Sequence, residues 1–345
     1  MCTVWSVHSE SPGYTSPGYT LPITRVQALL DVAARRGWDV ASMMDEAGIS
    51  LDLLAQGRAR VTLEQITSLF NRLWRTTDDE LLGFGLRPVP LGTFRLLCFG
   101  LISAPTLRAA IQRAKTFHRS LPGLPPLEIV EVGDEARLEF DISAIAVPVD
   151  ILVDILLLSV HRYIAWGLGQ RMPLRRVEVP YPAVPDNSDY DLIFGAQVRF
   201  SAPRPALVFG ADLLDAPLVR DEDELLTFLS DVPAAVLTRT GTATTVTGQV
   251  RRLLERGLTG EWPSVDDLAA DLAMSPQTLR RKLREEGTSS REIKERILRD
   301  AAVTSLVRGE ETIAALSRRL GFSEPSAFSR AFSRWTGDPP SAYQR

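Results

Sequence analysis

Thr312-Ile313-Ala314-Ala315-Leu316-Ser317-Arg318-Arg319-Leu320-Gly321-Phe322-Ser323-Glu324-Pro325-Ser326-Ala327-Phe328-Ser329-Arg330-Ala331-Phe332-Ser333-Arg334-Trp335 reads as two short helices meeting at a tight turn. The first is amphipathic and stops at Gly321, the residue type best suited to left-handed C-cap geometry. Phe322 is placed to plug the angle between the helices. Ser323 is expected to cap the second helix, with Glu324 complementing its dipole. Ala327, Phe328, Ala331, Phe332 and Trp335 then form a buried stripe at helical spacing, which leaves Ser326, Ser329, Arg330 and Ser333 outside.

The same pattern occurs once more upstream. Ser264 starts a helix, with Asp267 three residues on in a capping-box arrangement and Asp266 at the positive helix end. Leu268, Ala269 and Leu272 give it an apolar face, and Ala273-Met274 makes the turn. Ser275 is an N-cap and Pro276 sits at the first helical position, where a missing N–H costs nothing. Leu279 and Leu283, four apart, must point inward. Gln277, Thr278, Arg280, Arg281 and Arg284 are then left for solvent or for base edges and phosphates. An amphipathic segment over 291–307 separates the two copies. As one continuous helix it would hold two recognition helices at a fixed separation, as needed to enter successive major-groove segments of B-DNA roughly 34 Å apart.

The residues Gly321 to Gly337, followed by Pro339-Pro340-Ser341-Ala342-Tyr343, resemble the C-terminal signature of the AraC/XylS family. Met274 to Ser289 is similar to that family's first unit. Upstream, Ser103-Ala104-Pro105-Thr106-Leu107-Arg108-Ala109-Ala110, Phe194-Gly195-Ala196-Gln197-Val198-Arg199-Phe200 and Leu213-Leu214-Asp215-Ala216-Pro217-Leu218 resemble the subgroup with an arabinose-binding-type N-terminal domain. The resemblance implies a one-component transcription regulator that more often activates than represses. The partners it implies are double-stranded promoter DNA, RNA polymerase, a small-molecule effector and, where the N-terminal domain dimerises, a second copy of the chain. Ser290 stands where this subgroup usually has an aromatic residue, and Ser317 where alanine is common.

The rest of the chain sets the frame. Residues 1–21, with the tandem Ser-Pro-Gly-Tyr-Thr repeat, suggest a tail with no core-forming residues. An α+β domain is expected over 22–230, with helices from Ile23 and over 41–47, 62–76, 106–118 and 149–166. A hairpin is expected over 127–132 and 136–141, and short strands at 176–179, 197–200 and 206–209. The Thr/Ala/Gly-rich stretch 231–248 reads as a linker, and 249–345 as an all-α domain with the two helix-turn-helix units. The N-terminal domain is expected to hold an apolar effector pocket between 127–140 and 151–166, or else only to dimerise or bind a partner protein.

Composition excludes several function classes. The hydrophobic share is 45% and the charged share 24%, the balance of a globular protein. The most apolar stretch, 147–158, is interrupted by Asp150 and Asp154 and is too short to span a bilayer. Cys2 and Cys98 give no disulfide framework or zinc spacing, which fits a reducing cytoplasm. His8, His118 and His161 form no ligand pair, so neither a metal nor another cofactor is expected. No P-loop, nucleotide-binding glycine fingerprint or nucleophile elbow occurs, and an alkyl-DNA repair activity would need more cysteines; no enzyme is expected. Net charge is −4, yet the segment from Val250 onward carries 17 basic and 14 acidic residues. That tilt is too weak to argue DNA binding without the helices.

Overall fold

The computed structural model describes residues 20–55, 57–121, 123–146, 150–183, 190–237, 245–258 and 261–344. Residues 1–19, and with them all of the tandem repeat but Thr20, lie outside the described residues. Thr20 and Leu21, expected in the tail, instead begin a strand.

In chain order the N-terminal half runs β1 (Thr20–Pro22), α1 (Ile23–Arg35), α2 (Val40–Ala47), β2 (Arg60–Thr62), α3 (Leu63–Thr77), α4 (Thr93–Ile102) and α5 (Leu107–His118). It continues through β3 (Leu127–Val132), β4 (Glu135–Phe140), α6 (Asp150–Gly167), β5 (Leu174–Glu178), α7 (Tyr190–Phe194), β6 (Val198–Arg199), β7 (Ala206–Gly210) and α8 (Glu222–Leu237). The C-terminal half is helical: α9 (Val246–Glu255), α10 (Val265–Asp271), α11 (Pro276–Glu285), α12 (Ser290–Arg308), α13 (Ile313–Arg319) and α14 (Pro325–Thr336).

Five strands form one sheet in the order β3-β4-β7-β5-β6, antiparallel except for the β5–β6 pair. The β3–β4 register places Ile129 opposite Leu138, with Gly133 at φ 61° in the turn. Alternation then sends Ala136, Leu138 and Phe140 to one face, where they are buried in a cluster with Leu157 and Leu158 of α6. That face of the hairpin is therefore part of the same buried core as α6. β1 and β2 form a separate antiparallel pair, Leu21 opposite Val61, and close on residues distant in sequence.

Local chemistry explains the helix starts. Thr62 and Gln65 make a reciprocal capping box at α3, and Thr106 caps α5 by accepting from Ala109 N–H. At the other seam, residues 231–237, expected in the linker, are the last turns of α8. Residues 238–244 lie outside the described residues, and α9 begins at Val246. Among the described residues no helix is long and apolar enough to cross a membrane.

Candidate nucleic-acid interface

Two helix pairs carry the candidate contacts. In the first, Ser264 and Asp267 form a capping box that starts α10, and Ala273, at φ 52°, turns the chain after the C-cap at Leu272. Ser275 caps α11 by accepting from Thr278 N–H, and Pro276 follows at the first helical position. In the second, Thr312 caps α13, Leu320 is the C-cap and Gly321 takes φ 83°. A left-handed turn at the same point of each unit makes the two helix pairs bend alike.

Ser323 does not cap α14. Glu324 occupies the N-cap position and makes no side-chain cap bond, with Pro325 next. The physical reason is proline's fixed φ and missing N–H, which suit the first helical position and so push the cap to the residue before it. The second turn is consequently one residue longer than the first. The two prolines, not the two serines, mark equivalent points.

Counted from those prolines, the units superimpose in pattern. Leu279 and Leu283 hold the places of Phe328 and Phe332, and all four are buried. Gln277 then matches Ser326, Arg280 matches Ser329, and Arg281 matches Arg330. Gln277, Arg280, Arg281, Arg284, Ser326 and Arg330 are exposed; Thr278 and Ser329 are half-buried. The structure thus brings all eight expected residues to the outer faces of α11 and α14.

Their hydrogen bonds differ in ways the sequence did not reveal. Arg281 Nη1 reaches Glu285 Oε1 at 2.6 Å, one helical turn on. Both side chains are well exposed, so water and salt screen the pair and DNA can compete for the guanidinium. Thr278 Oγ1 lies 2.8 Å from Ser275 Oγ, and Ser329 Oγ donates to the Pro325 carbonyl at 3.0 Å. These two hydroxyls are partly committed to their own helices. Arg280, Arg284 and Arg330 make no ion pair among the described residues.

α12 joins the units as the single helix expected. Phe322 packs edge-on against Phe328 at 5.5 Å and against Trp335 at 6.2 Å, filling the angle between α13 and α14. Ser317 is fully buried, and its hydroxyl has no hydrogen-bond partner among the described residues. Ser290 is the first residue of α12, immediately after the Ser289 cap.

The N-terminal half holds a polar cluster that periodicity could not indicate. Arg25 of α1 lies 3.1 Å from Asp154 of α6, both nearly inaccessible, and its guanidinium stacks 3.8 Å over the Tyr190 ring. The Tyr181 hydroxyl donates to Asp154. Burial pushes the Asp154 carboxyl up to about 6, against the opposing pull of Arg25 and the Tyr181 hydroxyl. Among the described residues no group of three or more His, Cys, Asp or Glu side chains could hold a metal.

Two helix-turn-helix units on one spacer helix, beside an α+β domain, define a DNA-binding transcription regulator with a separate N-terminal domain. The family description "arabinose-binding domain of AraC transcription regulator" matches residues 37–218, and a helix-turn-helix domain matches 268–345. The chain belongs to the AraC family of transcription regulators. An uncharacterized HTH-type transcriptional regulator of Mycobacterium tuberculosis is 28% identical over 333 residues, covering 94% of this chain and 96% of that protein. The ornithine utilization regulator of Pseudomonas aeruginosa is 25% identical over 339 residues, with the same coverages. The solved structure of the transcriptional regulator CdpR from Pseudomonas aeruginosa, 24% identical, matches 80% of this chain and 90% of that one at a TM-score of 0.31.

Proposed function

We propose that the chain binds two half-sites of double-stranded promoter DNA with α11 and α14, and that it activates transcription through RNA polymerase. The observation that carries this reading is the matched pair of faces. Inward Leu279/Leu283 and Phe328/Phe332 occupy the same offsets from Pro276 and Pro325, and leave Arg281 and Arg330 outward at equivalent positions. Gln277, Arg280 and Arg281 face base edges, while Arg284, further along the helix, meets phosphate. Acting on promoters, the protein works in the cytoplasm. The regulatory domain ends with α8 and the DNA-binding domain starts near α9.

Full-length protein should bind DNA upstream of its own gene, with affinity falling steeply as salt rises. Arg281→Ala and Arg330→Ala should each weaken binding by about 10- to 100-fold and relax base preference at one position. Arg284→Ala should weaken all sequences alike and reduce the salt slope by about one. If Arg281→Ala and Arg330→Ala both leave affinity and base preference unchanged in gel-shift titrations, the assigned faces are wrong.

The N-terminal domain, in this reading, senses a small metabolite. A relative of nearly equal length named for ornithine utilization supports a metabolite as the class of effector. A ligand that binds only the native state must raise its melting temperature by mass action. Screening a metabolite library by thermal melting should therefore yield at least one stabiliser that also shifts promoter affinity. Stabilisers with no effect on DNA binding, or none at all, would favour a domain that only dimerises or binds a partner protein.

A further inference from the structure

Residues 297–306 of α12 are buried without interruption. A helix of a two-unit domain needs an apolar stripe, not cover on every side; a run buried all round must be packed from all directions. α9 covers one side, and α13, α14 and the turn Pro340–Tyr343 cover another. The remaining side is closed by β1 and β2, which belong to the N-terminal half.

The contact is polar and specific. Thr20 Oγ1 donates to Asp300 Oδ1 at 2.7 Å and accepts from Arg60 Nε at 2.8 Å. Arg60 Nη2 donates to the Thr20 carbonyl at 2.7 Å, which fixes the β1–β2 pair as one piece. The other Asp300 oxygen accepts from Arg251 of α9 at 2.9 Å, and α9 packs on α11 of the first unit. At the opposite end, the Arg60 backbone N–H donates to the Tyr343 hydroxyl at 3.0 Å. The Tyr343 ring stands edge-on to Phe332 of α14 at 5.2 Å. Side-chain exposure is 2% at Arg60 and 1% at Asp300, so water does not compete for these bonds.

We propose that the β1–β2 pair is a strap that sets the relative placement of the two recognition helices, with Thr20, Arg60 and Asp300 as its positioning residues. The proposal rests on the DNA-binding reading above. One residue, Arg60, is tied by its side chain to the network that holds the first unit and by its backbone to the residue that seats the second. Whatever moves β1 moves that tie. α1 follows β1 directly and carries Arg25 into the buried cluster with Asp154. The N-terminal domain therefore reaches the spacing of the recognition helices through three residues of strand.

The test uses the full chain and a duplex selected by the wild-type protein from a randomised DNA pool. Binding is compared on that duplex, on a single half-site, and on versions with one or two base pairs added between the half-sites. Each added pair displaces one half-site by about 3.4 Å along the duplex axis. Thr20→Val removes the hydroxyl while keeping the shape. It should weaken binding to the selected duplex by about tenfold, the scale of one lost charge-assisted hydrogen bond. Binding to the single half-site should stay unchanged, and discrimination against the added base pairs should fall. Thr20→Ser should behave as wild type. Tyr343→Phe cuts the other end of the strap and should reproduce the pattern; it also serves if Thr20→Val fails to fold. Equal losses on the single and double sites would mean that these bonds only stabilise the fold. No loss, or tighter binding, would equally overturn the strap. If the wild type selects no sequence at all, the DNA-binding reading itself fails, an outcome distinct from any variant result.

Discussion

Phe328→Ala is expected to cost about 3–5 kcal/mol of stability, the range for truncating a fully buried phenylalanine. Phe328 is 0% exposed and sits where α13, α14 and Phe322 meet. Its ring also packs against Phe332 at 5.7 Å, so truncation loosens two aromatic contacts as well as opening a cavity. The backbone cannot close that space cheaply, because Gly321 and Pro325 fix both ends of the turn. Equilibrium urea unfolding gives the size of the loss, and amide exchange gives its place. Protection should fall first in α13 and α14 and persist in the β3–β4 hairpin, which lies in the five-stranded sheet of the N-terminal half. A loss under about 1 kcal/mol would show that Phe328 is not the keystone of the second unit.

The second unit was legible because its signals agree. Helical spacing of Phe328 and Phe332, a glycine at the turn and a proline at the helix start all point to one fold. The misplaced cap, Ser323 in place of Glu324, came from ranking the serine side chain above the proline beside it. Pro325 decides the register because its constraint is covalent. The hairpin over β3 and β4 was legible for a similar reason, since strict alternation flanks Gly133-Asp134.

Other elements left no local trace. β1 and β2 are three residues each, and neither has a pattern until it meets the other across about forty residues of chain. α4 escaped because Thr93-Phe94-Arg95-Leu96-Leu97-Cys98-Phe99-Gly100-Leu101-Ile102 is apolar on most sides, so no periodicity stands out. The last turns of α8 looked like linker because they lead into a Thr/Gly-rich run. The eight outward residues of α11 and α14 could be placed from their inward neighbours. The Thr20–Arg60–Asp300 ties could not, since Asp300 lies 280 positions from Thr20 and nothing in sequence marks a carboxylate as buried.

A pH effect that a single substitution can isolate should come from His161. It is buried on α6, with Nε2 donating to the Met172 carbonyl at 2.9 Å. Burial drives the imidazole down to about 4, against the Met172 bond that favours the charged form; the Arg162 charge beside it lowers it further. Between about 4 and the ordinary 6.5 the unfolded chain binds a proton that the native chain refuses. The histidine's contribution to native stability is therefore fully present above 6.5 and is lost as pH falls toward 4. Between pH 7.5 and 5 the histidine should remove about 2 kcal/mol. Asp154, two turns earlier on the same helix, acts in the opposite sense. Its native carboxyl titrates near 6 and its unfolded one near 3.8, so the native chain binds the extra proton and gains stability as pH falls through that window. Glu80, raised by burial to about 7, adds to that opposing trend. The wild-type curve is thus a difference of terms, and its slope alone identifies no residue. His161→Gln isolates the histidine: glutamine keeps an N–H for the Met172 carbonyl and cannot titrate. Urea unfolding of both proteins at pH 7.5, 6 and 5 should show the wild type losing ground to His161→Gln at each step down. Parallel curves would mean that the buried imidazole accepts its proton as readily as the unfolded one.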